Sequence, residues 1–195
     1  MTTPPSLSDW VPGLDDSATL AEAHAGMPGD DPSVVPWYVR LLENPASPVA
    51  LPGNVDLFGH DSIHIVLGRG TLPPDEAFVL GATMGSGGRL SRWQQRLFTL
   101  AATKLYRGPW RLSRDDLLLF EMAVRFAAHQ RIQPLGDVPW RDLLAWPLGE
   151  IRAKLGIHTP DLLRFYATER ALWPHSAAAR RLPTSMAADH VCPDE

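Results

Sequence analysis

Between Val55 and Met84 the chain is punctuated as a helical hairpin, and this stretch constrains the fold more than any other. Val55 to Leu67 reads as a helix that stops at Gly68, a residue suited to the left-handed position that closes a helix. Arg69, Gly70, Thr71 and Leu72 turn the chain. Pro73 and Pro74 then fall where a first helical turn accepts proline, and Asp75 and Glu76 fall where the helix dipole favours acids. The second helix is expected to run to about Met84, where Gly85, Gly87 and Gly88 stop it.

The rest of the chain reads in the same helical idiom. Trp37 to Glu43 has the pattern of a short amphipathic helix, followed by a proline-broken loop from Asn44 to Asn54. Leu90 to Tyr106 is amphipathic, with Trp93, Leu97, Leu100 and Ala101 on one face. Ser113 begins a capping box, Asp116 taking the acidic position. The helix it starts, Arg114 to Gln130, is apolar almost all round through Leu117, Leu118, Leu119, Phe120, Met122, Val124 and Phe126, and is expected at the centre of the fold. Trp140 to Leu155 follows with a break at Pro147, and Thr159 is expected to cap a last helix that carries Pro160 in its first turn. Strand signals are weak throughout. The fold class expected is all-α, a single-domain bundle of five to seven helices over about 36–173.

Composition sets the flanks. Met1 to Val35 holds five prolines and only negative charges, namely Asp9, Asp15, Asp16, Glu22, Asp30 and Asp31. Such a segment buries little and is expected to be a disordered arm, save for a short helix near Ser17 to Ala25. Residues 174–195 are expected to form a second disordered tail. There is one cysteine, Cys192, which excludes a disulfide framework and a thiolate zinc cage. The start, MTTPPSLSDW, has no basic or apolar run of a signal peptide, and no stretch nears the roughly 20 apolar residues of a membrane span. A cytoplasmic protein, at most peripheral to a membrane, is expected. A net charge of −4 argues against nucleic acid as a partner.

The chemistry is concentrated in the hairpin. On a helix His60 and His64 share a face, and Asp61 borders it three residues before His64. The turn lets Glu76 come back opposite from the next helix. Two imidazoles with one or two carboxylates suit a borderline divalent cation such as zinc, iron or manganese. A polar helix face with an Asp–His pair, and a capping acid on the next helix, would leave the same signature. A zincin would carry Glu rather than Asp beside the first histidine. An HD-type phosphohydrolase would need a further His and Asp on other helices; His24 lies in the arm, and no later Asp stands out.

His60, Asp61, two residues, His64, eleven residues and Glu76 reproduce the HDxxH-x11-E signature, so this region resembles the Coq4 family of quinone-biosynthesis proteins. Gly68 also resembles the family's glycine a few residues after the second His. The likeness is carried by about Asp56 to Met84, and the run Asn54 to Gly59 departs from the Arg- and Glu-bearing pattern of the family. The resemblance implies an all-helical, often dimeric protein with His60, Asp61, His64 and Glu76 as metal ligands. It implies a role at the ring-modifying stage of ubiquinone biosynthesis, as an oxidative decarboxylase or as an organiser of other enzymes. An isoprenoid or quinone-like ligand would then need an apolar cavity beside the metal, with Ile63, Leu67, Phe78 and Val79 as expected lining. The competing expectation is a non-catalytic helical scaffold whose metal fixes the hairpin.

One further feature suggests a surface. No acid lies between Glu76 and Asp115, while Arg89, Arg92, Arg96, Lys104, Arg107, Arg111 and Arg114 do, interleaved with Trp93, Tyr106 and Trp110. Arg89, Arg92, Arg96 and Lys104 are expected to meet anionic headgroups or a prenyl phosphate, the alternative being a solvated bundle face. The acidic arm is expected to fold back on this stretch.

Overall fold

The computed structural model describes residues 10–28, 55–88 and 113–184. The expected helices at Trp37 to Glu43 and Leu90 to Tyr106, the loop 44–54, and Arg89, Arg92, Arg96 and Lys104 lie outside the described residues. So do 1–9 and 29–35 of the arm and 185–195 of the tail. The fold is all-α, with seven α-helices among the described residues: α1 (Leu20–Ala25), α2 (Leu57–Leu67), α3 (Pro73–Gly85), α4 (Arg114–Gln130), α5 (Leu148–Leu155), α6 (Thr159–Leu172) and α7 (Ala177–Arg181). Short 3-10 turns fill Ser86–Gly88, Leu135–Asp137 and Trp140–Leu143. None of these helices is long and apolar enough to cross a membrane.

Local signals set the hairpin as the sequence suggests. Asp56 caps α2 by accepting the Gly59 N–H, and Gly68 closes it at a φ of 67°. Asp75 accepts the Leu72 N–H at 3.1 Å and so begins α3, whose first two residues are Pro73 and Pro74. Both helices are enclosed: Ser62 to Leu67 and Ala77 to Gly85 are buried without interruption. Among the described residues this hairpin, not the helix Arg114–Gln130, is the most enclosed element.

The expectation for α4 is therefore corrected. Its buried positions are Asp116, Leu119, Phe120, Ala123, Val124 and Ala127, a single stripe at helical spacing, while Leu118 is 49% exposed. The run Leu117 to Phe120 points in every direction, but among the described residues its close packing is on the side facing α3. There the two backbones nearly touch. A Cβ on Gly81 would sit 2.5 Å from the Phe120 carbonyl oxygen, and one on Gly85 would sit 2.4 Å from that of Val124. Gly81→Ala is accordingly expected to cost on the order of 2 kcal/mol, because overpacking outweighs the helix propensity gained. Gly26→Ala, where the new Cβ meets nothing closer than 3.5 Å, is the neutral control. Equal urea midpoints for the two variants would refute the close crossing.

Both flanks are also corrected where they are described. Residues 10–28 are packed, with Trp10, Leu14 and Leu20 buried in the core. The Leu148 N–H donates to the Ala18 carbonyl at 2.8 Å, and Gly149 to Asp16 at 3.0 Å. Arg152, itself buried, ties this segment to the hairpin: Nε donates to the Val66 carbonyl, and Nη1 to the Asp15 carbonyl and the Asp16 carboxylate. Of the arm's described carboxylates, that of Asp16 meets Arg152, which stands outside the basic stretch. Composition averages over a window, whereas three apolar anchors and a set of backbone hydrogen bonds suffice to hold a chain down. Beyond Pro174, α7 buries Ala178 and Ala179, and Leu182 follows into the core. At α6 the N-cap is His158 with no side-chain bond, and Thr159 and Pro160 lie within the first turn.

Candidate metal centre

α2 and α3 bring His60, His64 and Glu76 together. The spacing of four puts both imidazoles on one face of α2, and their rings meet edge to face with centroids 4.7 Å apart. His60 Nε2 lies 3.0 Å from His64 Nε2 and 3.1 Å from Glu76 Oε2, and His64 Nε2 lies 3.4 Å from Glu76 Oε1. The side chains are 12%, 1% and 14% exposed respectively. One donor atom from each falls within 4.8 Å of the others.

The donor chemistry fits a metal ion. His64 Nδ1 stands 2.7 Å from the Gly70 carbonyl oxygen, which can only accept. Nδ1 therefore carries the proton, and Nε2 is left to face the cluster. A ligating histidine held through its other nitrogen is the usual outer support of a metal site. Ligands about 2.1 Å from a shared ion are spaced by about 3.0–3.4 Å, and the 3.0 Å between the two Nε2 atoms falls in that range. Three lone-pair-bearing atoms this close repel unless a cation lies among them. Two His and one carboxylate is a donor set used by zinc and by non-haem iron.

In the absence of a metal, a proton does this work. Burial opposes a charge on His64, but Glu76, with Asp61 and Asp75 behind it, raises its pKa above the ordinary 6.5. Burial likewise opposes ionisation of Glu76, yet His64 and the hydrogen bonds from both histidines hold its carboxyl well below the ordinary 4.5. The signs follow from linkage. His64 stabilises the metal-free fold fully below 6.5, and this is lost as pH rises through its higher folded value. Glu76 contributes above 4.5, and this is lost as pH falls toward its lower folded value. Zinc must displace the His64 proton, so apparent zinc affinity is expected to rise by up to about tenfold per pH unit until His64 deprotonates freely. Chelator competition between about pH 6 and 8 checks this, and a flat profile would count against His64 as a ligand.

Asp61, the fourth residue of the expected ligand set, is not among the converging three. It follows His60 by one residue, so its side chain leaves the helix about 100° away, and its charge helps to raise the pKa of His64. Ile63, Leu67, Phe78 and Val79 are fully buried members of the core. A cleft of about 380 Å³ lies instead among Pro74, Ser113, Asp115, Leu119, Glu169 and Trp173, and none of those four residues or the three ligands borders it.

Other contributors carry no motif. Gly70 matters through its carbonyl, and it must be glycine because a Cβ there would lie 2.6 Å from the Trp10 carbonyl oxygen. Arg69 and Asp75 read in sequence as turn and dipole residues, yet both are buried. Glycine either side of Arg69 is the one local hint that its backbone is closely approached. The chain matches no protein-family profile, no curated protein and no solved structure.

Proposed function

We propose that this chain is a Coq4-like metal-binding protein that holds a divalent ion on His60, His64 and Glu76. Zinc is the foremost candidate, with iron and manganese as the other ions this donor set suits. The observation that carries the reading is the convergence of three donor atoms from two consecutive helices at a nearly enclosed point. The HDxxH-x11-E spacing adds the substrate class, a quinone-like or isoprenoid lipid that the protein acts on or presents. A bound divalent ion with three protein ligands keeps an open position and supplies Lewis-acid or oxygen-activating chemistry. The chain's own part is to hold His64 Nε2 toward the site through Gly70, to keep Glu76 anionic, and to hold Asp61 as a charge at its edge.

A second reading is favoured by the packing of Ile63, Leu67, Phe78 and Val79: a scaffold in which the ion fixes the hairpin and Asp61 turns in to close the site. Both readings expect the purified protein to carry about one divalent ion per chain, measured by mass spectrometry. Cobalt substitution separates them. An open site should give a spectrum that changes when a short-chain quinone or prenyl phosphate is titrated in, with saturation. A tetrahedral spectrum indifferent to either ligand favours the scaffold. Sub-stoichiometric metal in protein purified without chelators would sink both.

A further inference from the structure

The turn between α2 and α3 is gripped from below by a buried polar frame. Arg69 is fully buried and forks onto Glu169 of α6, with Nη1 3.0 Å from Oε1 and Nη2 on Oε2. Nη1 also lies 3.4 Å from Asp75, which Arg181 of α7 approaches at 3.3 Å from the other side. The guanidinium lies over the Phe78 ring at 3.9 Å and over Tyr166 at 4.7 Å, and the Tyr166 hydroxyl donates to the Leu67 carbonyl. The turn is thus held at Leu67 by Tyr166, at Arg69 by Glu169, and at Leu72 by Asp75.

Stability does not account for this frame. A buried ion pair contributes little compared with apolar side chains of the same volume, and Arg69 Nε has no partner here, which adds a desolvation cost. What a bidentate Arg–carboxylate fork supplies is orientation. Two consequences reach the ion site. The turn aims the Gly70 carbonyl at His64 Nδ1, and Asp75 sets the register in which α3 begins, one residue before Glu76.

We infer that Arg69 and Glu169, acting through Asp75 and Gly70, are positioning residues for the His60–His64–Glu76 site. The inference rests on the metal-binding reading above. None of the frame side chains is among the three converging donors; each acts on where a ligand points. Disturbing supports of this kind lowers metal affinity by about 10–100-fold with the ligands intact.

Two variants test it. Glu169→Gln weakens the fork while keeping its shape. The double variant R69M/E169M replaces the pair by apolar side chains, preserving packing while removing the orientation. Zinc affinity is read by chelator competition on protein with native helical content. The exchange protection of the His64 Nδ1 proton is read by NMR on the metal-free protein. Both variants are expected to bind zinc at least tenfold more weakly than wild type, and to lose protection of that proton. A folded variant with wild-type affinity and a protected proton overturns the inference. Failure of both variants to fold also overturns it, since the frame would then be structural. If wild-type protein itself binds no zinc, the metal-binding reading fails, while the His64 proton still decides whether the frame holds the ring.

Discussion

His64→Ala is expected to reduce bound metal from about one ion per chain to below about a tenth, with the helical spectrum retained. His64 is the most enclosed of the three ligands and the one whose ring is fixed from behind. Its removal leaves two donors, too few to hold a borderline divalent ion against the buffer. Glu76→Gln is the cleaner partner experiment, since it preserves volume while removing the anion that draws a cation to the site. It should lose metal comparably. Asp61→Asn is expected to lose far less, because its carboxylate does not converge with the other three. Retention of about one ion by either His64→Ala or Glu76→Gln would refute the site. Loss in Asp61→Asn as complete as in His64→Ala would show that the aspartate turns in when metal binds.

The second large effect concerns stability. Phe78→Ala is expected to destabilise the protein by about 3–5 kcal/mol, the usual cost of removing a buried phenylalanine. Phe78 is fully buried, and its ring meets Phe126, Phe165 and Tyr166 at centroid distances of 6.2, 4.9 and 5.8 Å. It also carries the Arg69 guanidinium on its face, so truncation strips the frame of an aromatic wall. Had Phe78 lined a lipid cavity beside the metal, the empty site would already lack those contacts, and the loss would be small. Urea denaturation with metal removed separates the cases; a loss under about 1 kcal/mol would return Phe78 to a cavity wall.

The basic stretch illustrates a different gap. Charge and aromatic interleaving set Arg89, Arg92, Arg96 and Lys104 apart in the sequence, and they lie outside the described residues. Contact with an anionic lipid surface is therefore an expectation that stands on sequence. In the packed acidic segment the Asp16 carboxylate pairs with Arg152, while that of Asp15 accepts from Ser17.

The sequence by itself determined the hairpin and the two imidazoles on one face. Gly68, Pro73, Pro74 and Asp75 act within one helical turn of themselves, as does the Ser113–Asp116 box that starts α4. Such signals report hydrogen bonds whose donor and acceptor lie within a turn of each other, so they are legible without the rest of the chain. Only the tertiary structure decided which side of α4 is buried, that Trp10 and Leu14 belong to the core, and that Asp61 stands apart from the cluster. It alone placed Arg69 inside, because the carboxylate that makes its burial tolerable lies 100 residues further along the chain. Burial of a charge is settled by its partner, and nothing within a turn of Arg69 says where that partner is.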